Sequence, residues 1–221
     1  MLDLVKNDFM SKELDKVRKD YGKNQLELED MPENPIELFE LWLNNAKESD
    51  SLDYNAMTLA TVGSDGYPQT RIVLLRSIIG DRLVFYTNYR SDKGQELENQ
   101  PKVSLNFFWK ELERQVRIVG DIEKVKPEVS DAYFISRPRQ SQIGAWASEQ
   151  SSVVESGDVQ KRLKHFEQKF EGQDVPRPAH WGGYKIIPRT VEFWQGRPSR
   201  LHDRVKYIAK GKEWEMKLLS P

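Results

Sequence analysis

The sequence has 221 residues, a formal net charge of -1 and no cysteine. A net charge near zero argues against a nucleic-acid-binding protein, because such domains usually carry a marked basic excess. The lack of cysteine excludes disulfides, a thiolate nucleophile and cysteine-ligated metal sites, and it suits the cytoplasm. The longest apolar runs, such as residues 72–75, are far shorter than the roughly 20 residues that span a bilayer, so we expect a soluble protein.

Two helices are predicted before residue 50. Apolar residues recur every three to five positions between Leu2 and Tyr21, which predicts an amphipathic N-terminal helix. A second helix is expected to begin at Asn34, which can cap it, with Pro35 at its first position and Glu37 three residues after the cap. Its buried side is predicted to contain Ile36, Leu38, Phe39, Leu41, Trp42 and Leu43.

From residue 56 onward, short β-rich runs alternate with turns. Because helices occur early and late and do not alternate regularly with strands, the pattern predicts a mainly β protein, an antiparallel barrel of about seven strands with helical decoration. The predicted strands cover residues 57–62, 69–79, 83–87, 103–109, 115–125, 184–194, 205–209 and 214–218. The predicted helices cover residues 91–99, 128–135 and 159–170.

Several widespread catalytic motifs are absent from the sequence. It has no glycine-rich dinucleotide fingerprint, no P-loop, no Gly-x-Ser-x-Gly elbow and no His-Glu-x-x-His. The three histidines, His165, His180 and His202, are not at metal-ligand spacing, so no metal site is predicted.

Two segments in the first half combine cations with apolar residues or hydroxyls. Arg71 and Arg76 bracket an apolar run on a predicted strand, where their guanidinium groups could bind a phosphate. Residues 91–94, Ser-Asp-Lys-Gly, open a predicted helix, and a helix N-terminus with a lysine can bind an anion. Solvated strand-end arginines and an ordinary helix cap explain these segments equally well.

Two segments in the second half carry similar chemistry. Tyr133, Arg137, Arg139 and Ser141 lie within nine positions and offer a phenol, two guanidinium groups and a hydroxyl to a phosphate. Residues 193–204 combine a tryptophan, three arginines and a histidine, which suits binding of a flat, anionic heteroaromatic molecule. The alternative is structural ion pairing within residues 197–204.

Taken together, these segments resemble the pyridoxamine/pyridoxine 5'-phosphate oxidase family over residues 18–221. The resemblance rests on Arg-Ile-Val-Leu-Leu at 71–75, Glu-Arg-Gln-Val at 113–116, Ser-Arg-Pro-Arg at 136–139, Ser-Gln-Ile-Gly-Ala-Trp at 141–146, Phe-Trp-Gln-Gly at 193–196 and Arg-Leu-His-Asp-Arg at 200–204.

The resemblance implies an FMN-binding split barrel, formed as a homodimer with its active sites at the interface. It implies oxidation of pyridoxamine or pyridoxine 5'-phosphate by O2 to pyridoxal 5'-phosphate, giving H2O2, and ammonia from the amine. The implied FMN-binding residues are Arg71, Ile72, Val73, Leu74, Leu75, Arg76, Tyr86, Thr87, Lys93, Gln115, Gln150, Ser151, Trp194 and Arg204. The implied substrate-binding residues are Arg18, Tyr21, Arg76, Tyr133, Arg137, Ser141, Arg200, Leu201 and His202. Arg200 and His202 are the catalytic candidates, with Asp53 in a supporting role.

Two positions depart from the family pattern. Arg76 stands where the family commonly has lysine, so a planar fork replaces a compact ammonium group. Asp92 stands where the family has a basic residue beside Lys93. We expect the Asp92 carboxylate to turn outward and Arg90 to supply the missing cation.

The resemblance also suggests a division of the chain and leaves rival functions. Residues 1–50 are expected to form an N-terminal helical segment, of which 1–22 cover the active site, and residues 51–221 the split-barrel domain. The rival functions are another flavin reductase on the same barrel and a non-catalytic carrier of flavin or pyridoxal phosphate.

Overall fold

The structure is a computed structural model that describes residues 20–23, 25–26, 29, 31–49 and 52–221. Of the predicted N-terminal helix, residues 2–19 lie outside the described residues. None of the described helices is long and apolar enough to cross a bilayer.

The first described helix, α1 (Pro35–Glu48), begins where its cap predicted. The Asn34 side chain accepts a hydrogen bond of 3.0 Å from the backbone N–H of Ile36. Most of the predicted buried side is buried, but the prediction for Leu41 was wrong, because its side chain is 55% exposed. Position 41 lies about 100° around the helix from the fully packed Trp42 and faces away from the core.

Among the described residues, nine strands form one antiparallel sheet, so the mainly β class was confirmed. They are β1 (Ala56–Val62), β2 (Pro68–Leu74), β3 (Ser77–Ile79), β4 (Arg82–Asn88), β5 (Lys102–Trp109), β6 (Arg114–Lys124), β7 (Trp181–Gln195), β8 (Asp203–Lys210) and β9 (Glu213–Leu218). The main path runs β2-β1-β5-β6-β7-β4-β3, and β8 joins β7 and β9. The other helices are α2 (Asp92–Asn99), α3 (Pro127–Ser136), α4 (Arg139–Ala147) and α5 (Asp158–Lys169).

The predicted single strand over residues 69–79 is divided into β2 and β3. The backbone N–H of Leu75 donates to the Asn55 carbonyl oxygen, and the N–H of Arg76 donates to the Val84 carbonyl oxygen. At this point the chain therefore leaves β1 and joins β4, which links the two parts of the half-barrel.

The 15-residue strand β7 is the axis of the sheet. It pairs with β6 along almost its whole length, with β4 at its start and with β8 at its end. Opposite Val119 and Gly120, Arg189 is an extra residue that forms a β-bulge. A Cβ atom at Gly120 would lie 2.4 Å from the Ile187 carbonyl oxygen, so the close approach at the bulge requires glycine.

The main core lies between α1 and the sheet. The ring of Phe39 packs 5.0 Å from that of Phe107, and the ring of Trp42 packs 5.2 Å from that of Phe193. A second core cluster joins α3, α4 and α5 to the first residue of β7, Trp181. The sequence did not predict α4, and this helix helps to build the second cluster.

Candidate active site

A groove of about 440 Å³ opens beside β2, β4 and the start of α2. It gathers most of the predicted cofactor-binding residues, drawn from four separate segments of the chain. These lining residues are Arg71, Ile72, Val73, Leu74, Arg76, Tyr86, Thr87, Lys93, Gln150 and Ser151.

Two cations stand at the α2 end of this groove. The guanidinium group of Arg71 forms an ion pair of 2.9 Å with Glu96 and donates a further hydrogen bond to Thr61. Lys93 is only 7% exposed, and burial, followed by the charge of Arg71, lowers the pKa of its ammonium group. A bound anion would offset both effects, so this end of the groove suits a phosphate.

Asp92 borders the same groove and is exposed, and the outward direction of its carboxylate stays a prediction. Asp92 and Arg90 both line a neighbouring cavity of about 490 Å³, but Arg90 does not line the groove. The negative charge of Asp92 raises the pKa of Lys93, which is a sign of their proximity. The idea that Arg90 compensates for the missing cation is therefore not supported.

Beside the groove, a stack of aromatic rings carries the predicted phosphate-binding residues. The ring of Tyr133 stacks on that of Tyr86, and the Trp181 ring lies parallel to both. The guanidinium group of Arg137 lies over the indole of Trp181, with its Cζ atom 4.4 Å from the ring centroid. Helix α3 and the turn that follows it thus present Tyr133 and Arg137 next to Tyr86, which already lines the groove.

Arg137 has the electrostatic character of an anion-binding group. Its Nη1 atom is buried and has no hydrogen-bond partner among the described residues. Burial lowers the pKa of its guanidinium group, and the nearby Arg76 lowers it further. Ser141 lies in the first turn of α4, where its backbone N–H donates to the Pro138 carbonyl oxygen.

A second cluster forms at the other end of β7. Gln115, Trp194 and Arg204 lie side by side on β6, β7 and β8, because they are register partners. Arg204 is held by a 2.8 Å ion pair with Glu192. None of these three predicted cofactor-binding residues lines the groove.

His202 belongs to this second cluster. Its ring centroid lies 4.6 Å from that of Trp194, and Tyr21 packs edge-on against both rings at 5.5 and 5.8 Å. The backbone N–H of Arg197 donates to His202 Nδ1 at 3.1 Å, so the proton of the neutral ring lies on Nε2. The Nε2 atom is therefore the one that can donate to a substrate.

Arg200 and Leu201 precede His202 in an exposed turn. Arg200 has a backbone φ of 62°, in the left-handed region that residues other than glycine seldom adopt. Both side chains are exposed. The turn therefore presents them outward from the same end of β7 as His202.

Two predicted site residues are not brought to either cluster, and a third lies outside the described residues. The side chain of Leu75 is buried in the main core and does not line the groove. Asp53 is exposed in the turn before β1, where its carbonyl oxygen accepts from the N–H of Ala56. Arg18 lies outside the described residues.

Sequence reasoning missed the residues that support the site. Glu96 and Thr61 bind Arg71, and Trp181 lies beneath Arg137. The glycines after Trp181 are a signal that could have been used, because a Cβ at Gly183 would lie 2.8 Å from the Tyr86 ring. Such crowding indicates a strand on which aromatic rings pack closely.

Two parts of the chain match known protein families. Residues 50–171 match the family described as pyridoxamine 5'-phosphate oxidase. Residues 181–221 match the pyridoxine 5'-phosphate oxidase C-terminal dimerisation region. The second match includes β7, β8 and β9, and with them Trp194, His202 and Arg204 of the second cluster.

Relatives with these names are similar over nearly the whole chain. A pyridoxine/pyridoxamine 5'-phosphate oxidase of Thermosynechococcus vestitus is 51% identical, with 93% of this chain and 97% of that protein covered. One from Cytophaga hutchinsonii is 52% identical, with 91% and 95% covered.

Solved structures share the fold. PhzG from Burkholderia lata 383, in complex with tetrahydrophenazine-1-carboxylic acid, superposes with a TM-score of 0.84 at 29% identity, covering 92% of this chain and all of that one. A pyridoxamine 5'-phosphate oxidase-related, FMN-binding protein from Nostoc punctiforme gives 0.68 at 18% identity, covering 86% of this chain and all of that one. These similarities agree with the predicted split-barrel fold.

Proposed function

Since the chain belongs to the pyridoxamine 5'-phosphate oxidase family, we propose that it oxidises pyridoxamine and pyridoxine 5'-phosphates to pyridoxal 5'-phosphate, with FMN as cofactor. In this proposal, the alcohol and O2 give the aldehyde and H2O2. The amine, O2 and water give the aldehyde, H2O2 and ammonia. FMN would accept two electrons and pass them to O2.

The groove supports FMN as the cofactor. Arg71 and Lys93 would hold its phosphate at the start of α2, where the helix N-terminus adds to their positive charge. The strand residues 71–76 and Tyr86-Thr87 would line the flavin, with Gln150 and Ser151 opposite. The residues present therefore fit a flat anionic cofactor.

The observation that carries the substrate assignment is the Nη1 atom of Arg137, which is buried and has no hydrogen-bond partner in the described part of the chain. A buried guanidinium nitrogen without a hydrogen-bond partner is costly, and a phosphate oxygen would satisfy it. Arg76, whose positive charge lowers the pKa of Arg137, supplies a second cation. Tyr133 and Ser141 supply hydroxyl groups. We assign these four residues to the substrate phosphate.

The cluster at the other end of β7 would bind the pyridine ring. His202 Nε2 and the Arg200 guanidinium group would orient the ring and stabilise charge that develops on it, with Leu201 beside them. Tyr21 would lie over the substrate, together with Arg18. Gln115, Trp194 and Arg204 would complete the flavin site.

This division supports a site shared by two chains. Trp181 and Trp194 are 13 residues apart on β7, which is about 40 Å along the strand. A single pyridine phosphate is much shorter, so the phosphate cluster of one chain would meet the ring cluster of another. Ile72 is 65% exposed and Phe108 is 51% exposed, as expected of residues that a second chain covers. We therefore propose a homodimer whose interface includes Ile72 and Phe108.

The division of the chain remains part of the proposal. Residues 1–22 would cover the substrate, and residues 51–221 would carry the barrel. Helix α1 belongs physically with the barrel, because Phe39 and Trp42 pack into the same core as β5 and β7.

Oxygen uptake tests the reaction. The protein as purified, supplemented with FMN, should consume O2 when pyridoxamine 5'-phosphate is added and should release H2O2 and ammonia in equal amounts. Binding of the substrate without O2 uptake would favour a carrier. Activity that needs an added nicotinamide cofactor, with no turnover of pyridoxamine 5'-phosphate, would favour a flavin reductase.

Mixing of two inactive variants tests the shared site. Arg137→Ala and His202→Ala should each be nearly inactive, because each loses one half of every site. After unfolding and refolding together, half of the dimers should be mixed, and each mixed dimer would have one intact site. About a quarter of the wild-type activity should return. No recovery despite formation of mixed dimers would place both halves in one chain.

A further inference from the structure

The buried carboxylate of Glu113 binds a distant part of the chain. Glu113 lies between β5 and β6, is 2% exposed and has a left-handed backbone with φ of 54°. Its Oε2 atom accepts hydrogen bonds from the backbone N–H groups of Gly22, at 2.8 Å, and Lys23, at 3.2 Å. One side chain therefore ties the segment before α1 to the sheet.

The backbone of this turn does not require a glutamate. Glycine or asparagine adopts the left-handed conformation more readily. The contacts of Glu113 with the end of β7 use its backbone, since its carbonyl oxygen accepts from the N–H of Gly196 and from Gln195 Nε2. The carboxylate is thus explained by what it binds, which includes the backbone of Gly22 and Lys23.

The residue before Gly22 is Tyr21, which packs against Trp194 and His202. Gly196 makes room for it, because a Cβ atom at that position would lie 2.7 Å from both Cβ and Cγ of Tyr21. Gly196 therefore leaves space for the Tyr21 ring, and Glu113 holds the backbone that directly follows Tyr21.

We propose that Glu113 is a positioning residue that holds Tyr21 against Trp194 and His202, and thereby sets substrate affinity. This inference rests on the proposed function, because it takes the Trp194 and His202 cluster as the ring-binding half of the site. A charged acceptor binds two N–H groups more strongly than a neutral one, so the glutamate is suited to hold this backbone.

Two variants of Glu113 and one control separate positioning from folding. Glu113→Gly removes the carboxylate and suits the positive φ, whereas Glu113→Gln keeps the shape with a neutral acceptor. Glu111→Gly is the control, because Glu111 lies in the same turn, is exposed, and contacts Lys23 only through its backbone carbonyl. All are made in the full chain and loaded with FMN.

The first measurement is the rate of tryptic cleavage after Lys23, which does not depend on activity. Glu113→Gly should be cleaved about tenfold faster, Glu113→Gln by a smaller factor, and Glu111→Gly at the wild-type rate. An unchanged rate in Glu113→Gly would overturn the proposal, whatever reaction the protein catalyses.

The second measurement is the KM for pyridoxamine 5'-phosphate, with kcat and FMN content determined on the same samples. Glu113→Gly should raise KM about tenfold and leave kcat and FMN content within about twofold. Gly196→Ala should have the same effect, because its methyl group displaces Tyr21. Faster cleavage after Lys23 without a change in KM would overturn the role in substrate binding.

A double-mutant cycle tests whether Glu113 acts through Tyr21. If it does, Glu113→Gly should add little to the KM of Tyr21→Ala. If the increases in KM caused by Glu113→Gly and Tyr21→Ala instead multiply in the double variant, Glu113 acts by another route, which would contradict the inference. Failure of the wild type to oxidise pyridoxamine 5'-phosphate would instead count against the proposed function, and the cleavage rates would still decide whether Glu113 holds the segment.

Discussion

The ring of Tyr133 lies flat on the ring of Tyr86, with 3.8 Å between centroids and 11° between planes. This contact joins α3 to β4 and therefore joins a proposed substrate-binding residue to a proposed flavin-binding one. Burial raises the pKa of Tyr86, and the neighbouring Tyr133 contributes to this increase. The phenol of Tyr86 therefore stays protonated at neutral pH and can donate a hydrogen bond.

Tyr133→Phe separates the hydroxyl from the stack. The variant keeps the ring contact and loses the phenol, so KM for pyridoxamine 5'-phosphate should rise about tenfold with little change in kcat. Tyr133→Leu, which also loses the stack, should in addition weaken FMN binding. Steady-state kinetics and FMN titration measure the two effects, and an unchanged KM in Tyr133→Phe would remove the hydroxyl from the phosphate site.

Arg137→Ala should weaken recognition of the phosphate specifically. The loss of a buried charged partner should lower kcat/KM for pyridoxamine 5'-phosphate about 100-fold, or ~3 kcal/mol. Pyridoxamine without the phosphate is the matched control, and its much lower kcat/KM should hardly change. Equal losses for the two compounds would show that Arg137 supports the fold and does not bind the phosphate.

Asp92→Asn should strengthen FMN binding. Asp92 borders the groove that would hold the flavin phosphate, so removing its negative charge should tighten FMN binding by ~1 kcal/mol, about fivefold. Arg90→Ala is the companion variant and should leave the affinity within about twofold, because Arg90 does not line that groove. Fluorescence titration of the FMN-free protein measures both affinities. A clear loss of FMN affinity in Arg90→Ala would show that Arg90 does supply the missing cation.

Arg200→Ala and His202→Ala should slow the reaction of the flavin with substrate. Both residues are assigned to the pyridine ring, so anaerobic flavin reduction should slow at least about tenfold while FMN affinity changes little. Stopped-flow absorbance at the flavin band follows the reduction. Unchanged rates in both variants would take these residues out of the active site.

Gly94→Ala should destabilise the protein by about 2 kcal/mol or more. A Cβ atom at Gly94 would lie 2.1 Å from the carbonyl oxygen of Tyr89, which is backbone and cannot easily move. Gly144→Ala is the control within another helix, where an added Cβ meets no atom within 4 Å. It should be neutral or stabilising by up to about 1 kcal/mol. Urea unfolding of the FMN-free proteins compares them.

Local signals predicted the parts of the fold that depend on neighbouring residues. The cap at Asn34 and the start of α1 follow from Asn34, Pro35 and Glu37. That the strand residues 71–74 and Tyr86-Thr87 share a site was implied by the resemblance to the family and not by local signals. The helix α4, which Pro138 directly precedes, was missed. The break at Leu75 was missed because it depends on a change of partner strand.

The missing parts of the site depend on contacts between distant segments. Trp181 reaches Arg137 across 44 positions, and Glu113 reaches Gly22 across 91 positions. No local pattern encodes such pairs. The surroundings of Asp92 also depend on distant residues, since the groove that it borders contains Gln150 and Ser151.

The bulge at Arg189 has a consequence for how the length of β7 can vary. Before the bulge, the core-facing side chains are at even positions, including Tyr184 and Ile186; after it they are at odd positions, including Val191 and Phe193. Because successive side chains alternate between faces, one extra residue at the bulge produces this change from even to odd positions. Deletion of Arg189 would therefore remove the bulge and still leave Ile186 and Val191 on the core face. Deletion of a residue elsewhere in β7, with the bulge in place, would exchange inside and outside over one half of the strand. The strand can thus lose a residue at the bulge, but not on either side of it, without a change in which side chains reach the core.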